Sequence, residues 1–367
     1  MGTNGNSPVT QQIIQGMTLS MLLNVLRRND FNVDTACLGR LGYLVAMGVL
    51  NHVYAACEAL VAARKIRSAR IEQSPFFVLG HWRSGTTHLH NLLSLDDNLA
   101  APSAYQAFFP HHFIFTYAGA AVFDVLAPSK RPMDNVVFGS DVPQEDEFAL
   151  AALSGVSPYL RVLFPLTGDR GHSEIDPADL PKDALERWKT ALTVFLKKLT
   201  LLHGRRIVLK SPPHMGRVRI LLDMFPDAKF IHIVRNPYEV YMSTHVLWKT
   251  MLSKAYLQIP SPEAVDDLIL KWYTELFRLY ERDKPSVPEG SLYEMRYEDL
   301  ESSPCETLRS AYEALGLSGF ADFREKVSRY LEVIEGYRKN VHHPDDDAKQ
   351  RVAGCWKGTF EKYGYPF

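Results

Sequence analysis

Three short segments carry the residues best suited to bind and act on an anion. Gly80-His81-Trp82-Arg83-Ser84-Gly85-Thr86-Thr87 follows the apolar run Phe76 to Leu79 and precedes a helical pattern. A loop at such a junction can aim backbone N–H groups at an anion, and the helix start adds about half a positive charge. Ser84, Thr86 and Thr87 add hydroxyl donors. Arg83 adds a cation whose guanidinium can fork onto phosphate oxygens. The GxxxxGK[ST] phosphate loop is met at Gly80 and Gly85, but Thr86 stands where its lysine belongs. Lys210-Ser211-Pro212-Pro213-His214 ends a second apolar run, Ile207 to Leu209. In an open parallel sheet ligands lie beyond the carboxyl ends of the strands. Lys210 then faces the same crevice as Arg83, where a cation can stabilise charge on a leaving oxygen. Arg235 ends a third run, and Ser243 follows eight residues later, two turns into a helix that Pro237 opens. That spacing lets both reach one anion.

These residues need a scaffold, and the pattern supplies one. Strand signals at 76–79, 207–209, 230–234 and 292–297 alternate with helical signals at 86–95, 182–203, 215–225, 261–282 and 304–316. Such alternation implies an α/β fold with a parallel sheet covered on both faces. The expected division is an N-terminal helical segment, 1–70, and one domain, 71–367. With 41 Lys+Arg against 42 Asp+Glu, the chain has no basic excess for gripping nucleic acid. A chain of 367 residues needs no metal or disulfide staple. Cys37, Cys57, Cys305 and Cys355 show no CxxC spacing, so they read as buried, reduced thiols of a cytoplasmic protein, with no metal site. The first dozen residues lack the basic and apolar stretches of a secretory signal. Asn6 stands where a myristoylation start wants Ser or Thr.

Leu41 to Cys57 carries no Asp, Glu, Lys or Arg, and Arg64, Lys65, Arg67 and Arg70 follow. Three readings compete, one of them a spanning helix at the short limit of length. The ordinary one is a buried helix or a hairpin that forms a homo-oligomer. The third is a helix lying in a membrane interface, its cations near lipid phosphates, giving peripheral membrane contact through 41–70.

Taken together and in order, the motifs resemble those of the sulfotransferases that use 3′-phosphoadenosine 5′-phosphosulfate (PAPS). The likeness runs from about Phe76 to the C-terminus and implies a P-loop-like three-layer sandwich. In that family a PKSGTT or PRSGTT loop holds the 5′-phosphosulfate. Here the string is HWRSGTT, so Arg83 takes the basic position and Ser84, Gly85, Thr86 and Thr87 match. The family's 3′-phosphate pair matches Arg235 and Ser243. Its strand-end lysine, beside the bridging oxygen, matches Lys210. Its RYEDL segment, with a Tyr near the adenine, matches Arg296 to Leu300 and so Tyr297. Lys339, in Tyr337-Arg338-Lys339-Asn340, resembles the loop that closes over the 3′-phosphate. No metal is implied, and 3′,5′-PAP is the product nucleotide. More narrowly, the chain resembles a bacterial group with KSPPH and PQEDEF strings, on the tyrosylprotein-sulfotransferase-like branch.

It departs from the family at the general base. The cytosolic phenol and steroid enzymes carry a His two residues after the lysine, where Pro212 stands. The tyrosylprotein enzymes use a Glu after the loop's helix, where this chain has Tyr105-Gln106. The base is therefore sought among His214 and Glu145, the favoured pair, with His111 and His112 behind them. Asp146 and Glu147 share with Glu145 the alternative of simply opening a helix. The aromatic stretches Tyr105 to Phe115 and Tyr238 to Trp248 suit either ordinary core or an apolar acceptor bearing one hydroxyl, such as a lipid, sterol or phenol. Two rival functions are a P-loop kinase, which would need a carboxylate for Mg²⁺ at a strand end, and a non-catalytic membrane- or partner-binding protein that keeps a degenerate fold.

Overall fold

The computed structural model describes residues 13–120, 123–124, 139–167, 175–334 and 346–367. The chain forms two compact units that interleave along the sequence. One takes 1–71, 102–204 and 247–264; the other takes 72–101, 205–246 and 265–367. The N-terminal helices thus share a unit with 102–204.

The second unit holds the sheet. Five parallel strands lie in the order β2-β3-β1-β4-β5, with β1 at Phe76–Leu79, β2 at Leu99–Ala100, β3 at Arg206–Lys210, β4 at Lys229–Val234 and β5 at Leu292–Arg296. Central β1 is apolar throughout and wholly buried, as a strand covered on both faces requires. One face packs Phe76, Val78, Ile231, Ile233 and Met295 on Leu89 and Leu92, and on Leu308, Tyr312 and Phe323. Toward the other, Phe77 stacks on Phe230 at 5.5 Å and His232 on Tyr280 at 4.1 Å. The four strands expected from the sequence are present. β2 is only two residues long and offers too little pattern to be read.

The first unit is helical. Helix α1 (Leu19–Arg28) is capped by Thr18, whose hydroxyl accepts from the Met21 N–H. It packs on α2 (Leu38–Ser68), as does the helix Lys182–His203. That last helix has the bounds its periodicity predicts, and Gly204 closes it in the left-handed conformation.

Two expectations are corrected here. Leu41 to Cys57 is neither buried nor a hairpin: it belongs to the single 31-residue helix α2, and most of it faces solvent. Among its buried positions are Leu44, Gly48, Asn51, Glu58 and Ala62. Spacings of four, three, seven and four residues keep these on one face, so the remaining apolar residues point away from the unit. The cysteines form no disulfide, yet only Cys37 is buried; Cys57 and Cys305 are half-buried and Cys355 is exposed.

Candidate active site

The three anion-binding segments meet at the carboxyl ends of β1, β3 and β4. The loop after β1 turns sharply. Arg83 and Gly85 both adopt the left-handed conformation, at φ 68° and 96°, and Gly85 is the N-cap of α3 (Thr86–Leu93). For an arginine that conformation costs roughly 1–2 kcal/mol and is found where a site over-determines it. A Cβ on Gly85 would lie 2.1 Å from the Tyr297 ring, so only glycine fits between loop and ring. Inside the loop, the Ser84 hydroxyl and backbone N–H both donate to the His81 carbonyl, at 2.8 and 3.2 Å. This curl, with Gly85 and a helix start behind it, fits a phosphate-like group.

Arg83 joins the segments. Its Nε donates to Ser243 Oγ at 2.8 Å, and its carbonyl accepts from Arg235 Nη1 at 3.2 Å. The Arg235 guanidinium lies 4.7 Å over the Tyr297 ring and 3.3 Å from Glu239. Lys210 is buried at the end of β3, its Nζ 3.4 Å from Thr87 Oγ1. Arg83, Ser84, Gly85, Thr86, Thr87, Lys210, Arg235, Ser243 and Tyr297 are thus gathered around one loop. Lys339 lies outside the described residues.

Two braces for this site carry no local signal. Glu298 accepts from the Asn236 N–H at 3.0 Å and from the Tyr365 hydroxyl at 2.8 Å, which fixes the turn into the helix Pro237–Thr250. Asn236 in turn accepts from the Tyr238 N–H at 2.9 Å. His81 is buried against Tyr273, which stacks on Trp356 at 3.7 Å, and burial pushes the His81 pKa down to about 3. Trp82 stacks on Trp272 at 5.3 Å.

The base candidates differ in setting. His214 is fully buried, its ring edge-on to Phe77 at 5.3 Å. Glu145 is half-buried and accepts from the Tyr159 hydroxyl. Asp146 and Glu147 are buried at the start of the helix Glu147–Ser154, and Glu147 takes a hydrogen bond from Ser157 at 2.7 Å. His112 is structural. The Asn51 amide donates to the carbonyls of Gln15 and Met17, so its Oδ1 must accept, and His112 Nε2 lies 3.0 Å from it. His112 Nδ1 is engaged by Thr116 Oγ1 at 2.8 Å. With both nitrogens occupied, and burial lowering its pKa to about 4, the ring serves packing. His111 pairs with the Ala152 carbonyl at 3.2 Å, and burial likewise lowers it to about 4.

The aromatics of 105–115 are mostly core. Tyr105, Phe108, Phe109 and Phe113 are buried, with Phe108 against Phe148 and Phe113 against Phe195. Among the described residues no cluster of three His, Cys, Asp or Glu is placed to hold a metal ion.

Comparison with known proteins bears on the family and the fold. The family model described as "Sulfotransferase family" matches residues 75–322. The omega-hydroxy-beta-dihydromenaquinone-9 sulfotransferases Stf3 of Mycobacterium bovis and Mycobacterium tuberculosis are each 33% identical over 350 residues, covering 95% of this chain and 90% of theirs. Among solved structures, sulfotransferase STF1 of Mycobacterium tuberculosis has a TM-score of 0.64 at 18% identity, over 95% of this chain and 93% of its own. Sulfotransferase STF9 of Mycobacterium avium has a TM-score of 0.62 at 16% identity, over 95% and 96%. These two share the fold. With a family match across most of its length and a relative one third identical almost end to end, the chain belongs to the sulfotransferase family.

Proposed function

We propose that the chain moves the sulfuryl group of PAPS to a hydroxyl of a small, largely apolar acceptor. The observation that carries the proposal is the Arg83 junction, which ties the phosphate-type loop to both Ser243 and Arg235. The loop N–H groups, Arg83 and the start of α3 hold the 5′-phosphosulfate. Arg235 and Ser243 hold the 3′-phosphate, and Tyr297 lies beside the adenine. As the sulfur gains a bond to the acceptor oxygen, its bond to the bridging oxygen breaks. Lys210 neutralises the charge that collects there, and a base takes the acceptor's proton. No strand-end carboxylate of the kind a Mg²⁺-dependent kinase uses stands at β3, which closes on Lys210, or at β4, which Arg235 follows directly.

Arg235→Ala should weaken PAP binding by about 2–4 kcal/mol, the scale of a charge-assisted phosphate contact in a pocket. Adenosine 5′-phosphosulfate, lacking the 3′-phosphate, should be affected far less. Calorimetry in excess chelator reads both; wild-type binding that vanishes on chelation would overturn the metal-free assignment.

For the acceptor, support comes from two sides. The Stf3 relatives are named for a hydroxylated menaquinone, an apolar body with one reactive hydroxyl. The net charge of −1 also offers no basic excess for a polyanionic glycan. Radiolabelled PAPS should therefore transfer label to hydroxylated prenyl lipids and not to polysaccharides. Label appearing only in a glycan would reverse the acceptor class and leave the donor site untouched.

A further inference from the structure

Helix α2 is amphipathic in an inverted sense. Its inward face carries two polar side chains that are fully used. Asn51 donates to the carbonyls of Gln15 and Met17, at 2.7 and 2.9 Å, and lies 3.0 Å from His112 Nε2. Glu58 is paired with buried Lys198 at 2.5 Å and accepts from the N–H groups of Ile114 and Phe115. The outward face is the apolar one. Leu38, Val45, Val49, Val53 and Leu60 are exposed, Val53 at 53% and Leu60 at 88%. Their separations of seven, four, four and seven residues keep them in one stripe. At 1.5 Å per residue that stripe is about 33 Å long.

No exposed acid interrupts α2, since Glu58, its only carboxylate, faces inward. The stripe runs directly into Arg64 and Arg67, both exposed and in phase with it, and the exposed Arg70 follows just past the helix end. Lys197 reaches the same end, donating to the Arg67 carbonyl at 3.1 Å. The helix is long and apolar enough to cross a bilayer by length and composition. Crossing would strip Asn51 and Glu58 of the partners just named, each a buried polar contact costly to lose. A helix lying in the interface keeps them, buries the outward stripe among acyl chains and brings the cations to the phosphates.

We propose that the outward face of α2 docks the protein on an anionic lipid surface, with Leu38 to Leu60 entering the acyl boundary and Arg64, Arg67 and Arg70 at headgroup level. The docking goes beyond the transfer reaction and does not depend on which acceptor is sulfated.

The test is flotation of the full chain with vesicles of phosphatidylglycerol mixed into phosphatidylcholine, against vesicles of phosphatidylcholine alone. The chain should float with the anionic vesicles and much less with the neutral ones, and added salt should weaken it. Val53→Glu with Leu60→Glu should cut partitioning about tenfold or more. Arg64→Glu with Arg67→Glu should cut it about fivefold or more for each charge removed. Both pairs change solvent-facing positions, so circular dichroism and thermal melting should match wild type. Failure to float with either vesicle would overturn the proposal, as would unchanged flotation in the Val53/Leu60 pair. Light scattering that shows a dimer dissolved by the Val53/Leu60 pair, without vesicle binding in the wild type, would assign the face to a second copy instead.

Discussion

Lys210→Ala should lower sulfuryl transfer by about 10²–10³, the scale of losing one donor aimed at developing charge. Lys210 is buried where β3 ends, and Thr87 holds its ammonium near the first turn of α3. A cation so held gains most when the bridging oxygen takes on charge, which happens only as the sulfur–oxygen bond breaks. The loss should therefore fall on turnover, with PAP affinity changed much less. Single-turnover kinetics beside PAP calorimetry separate the two. Near-normal turnover in Lys210→Ala would move the reacting centre away from the end of β3.

Removing the general base should have the largest effect, about 10²–10⁴ on turnover with PAP binding nearly intact. Glu145→Gln and His214→Asn divide the candidates. Glu145 is half exposed and oriented by the Tyr159 hydroxyl, the combination of access and fixed aim that proton transfer requires. His214 is fully buried with its ring on Phe77. The informative readout is the acidic limb of the rate–pH profile. The variant that removes the base should lose that limb along with turnover, whereas one that only loosens packing should lower the melting temperature and keep the limb. Normal turnover in both variants would reject both assignments. With His112 engaged at both ring nitrogens, the search would then turn to His111.

Much of the sheet unit is legible from short-range pattern. Phe76–Leu79 is a four-residue apolar run stopped by a glycine, and Phe230–Val234, apolar but for His232, is stopped by Arg235 and Pro237. A strand covered on both faces leaves that trace. The loop residues are legible because phosphate binding demands Gly, Ser, Thr and Arg at fixed offsets from a helix start. What escapes is whatever depends on distant partners. The packing of His81 on Tyr273, and of Tyr273 on Trp356, joins residues far apart in the chain and leaves no periodicity. Glu298 looks like a surface acid until its carboxylate is found on the Asn236 N–H. Tyr105 to Phe115 reads equally as ordinary core or as a substrate wall, and only the packing of most of its rings within the helical unit separates the two. Helix α2 misleads most. Gly39, Gly42 and Gly48 weaken its helical signal, and its apolar composition implies burial, while the buried face is the one bearing Asn51 and Glu58.

The Arg83 junction also bears on how donors are told apart. Arg83 touches Ser243 through its side chain and Arg235 through its carbonyl. On the proposed assignment, the groups that read the 3′-phosphate are bonded to the residue that grips the phosphosulfate. A phosphate arriving at Ser243 and Arg235 competes for the same guanidinium and hydroxyl, so the loop cannot respond to one end of the nucleotide alone. Linkage makes that dependence reciprocal. Whatever free energy, of either sign, the 3′-phosphate exchanges with the loop, the sulfuryl end exchanges with the 3′-phosphate site. After transfer the sulfuryl group is gone and that coupling is withdrawn, so donor and spent nucleotide meet the loop on different terms.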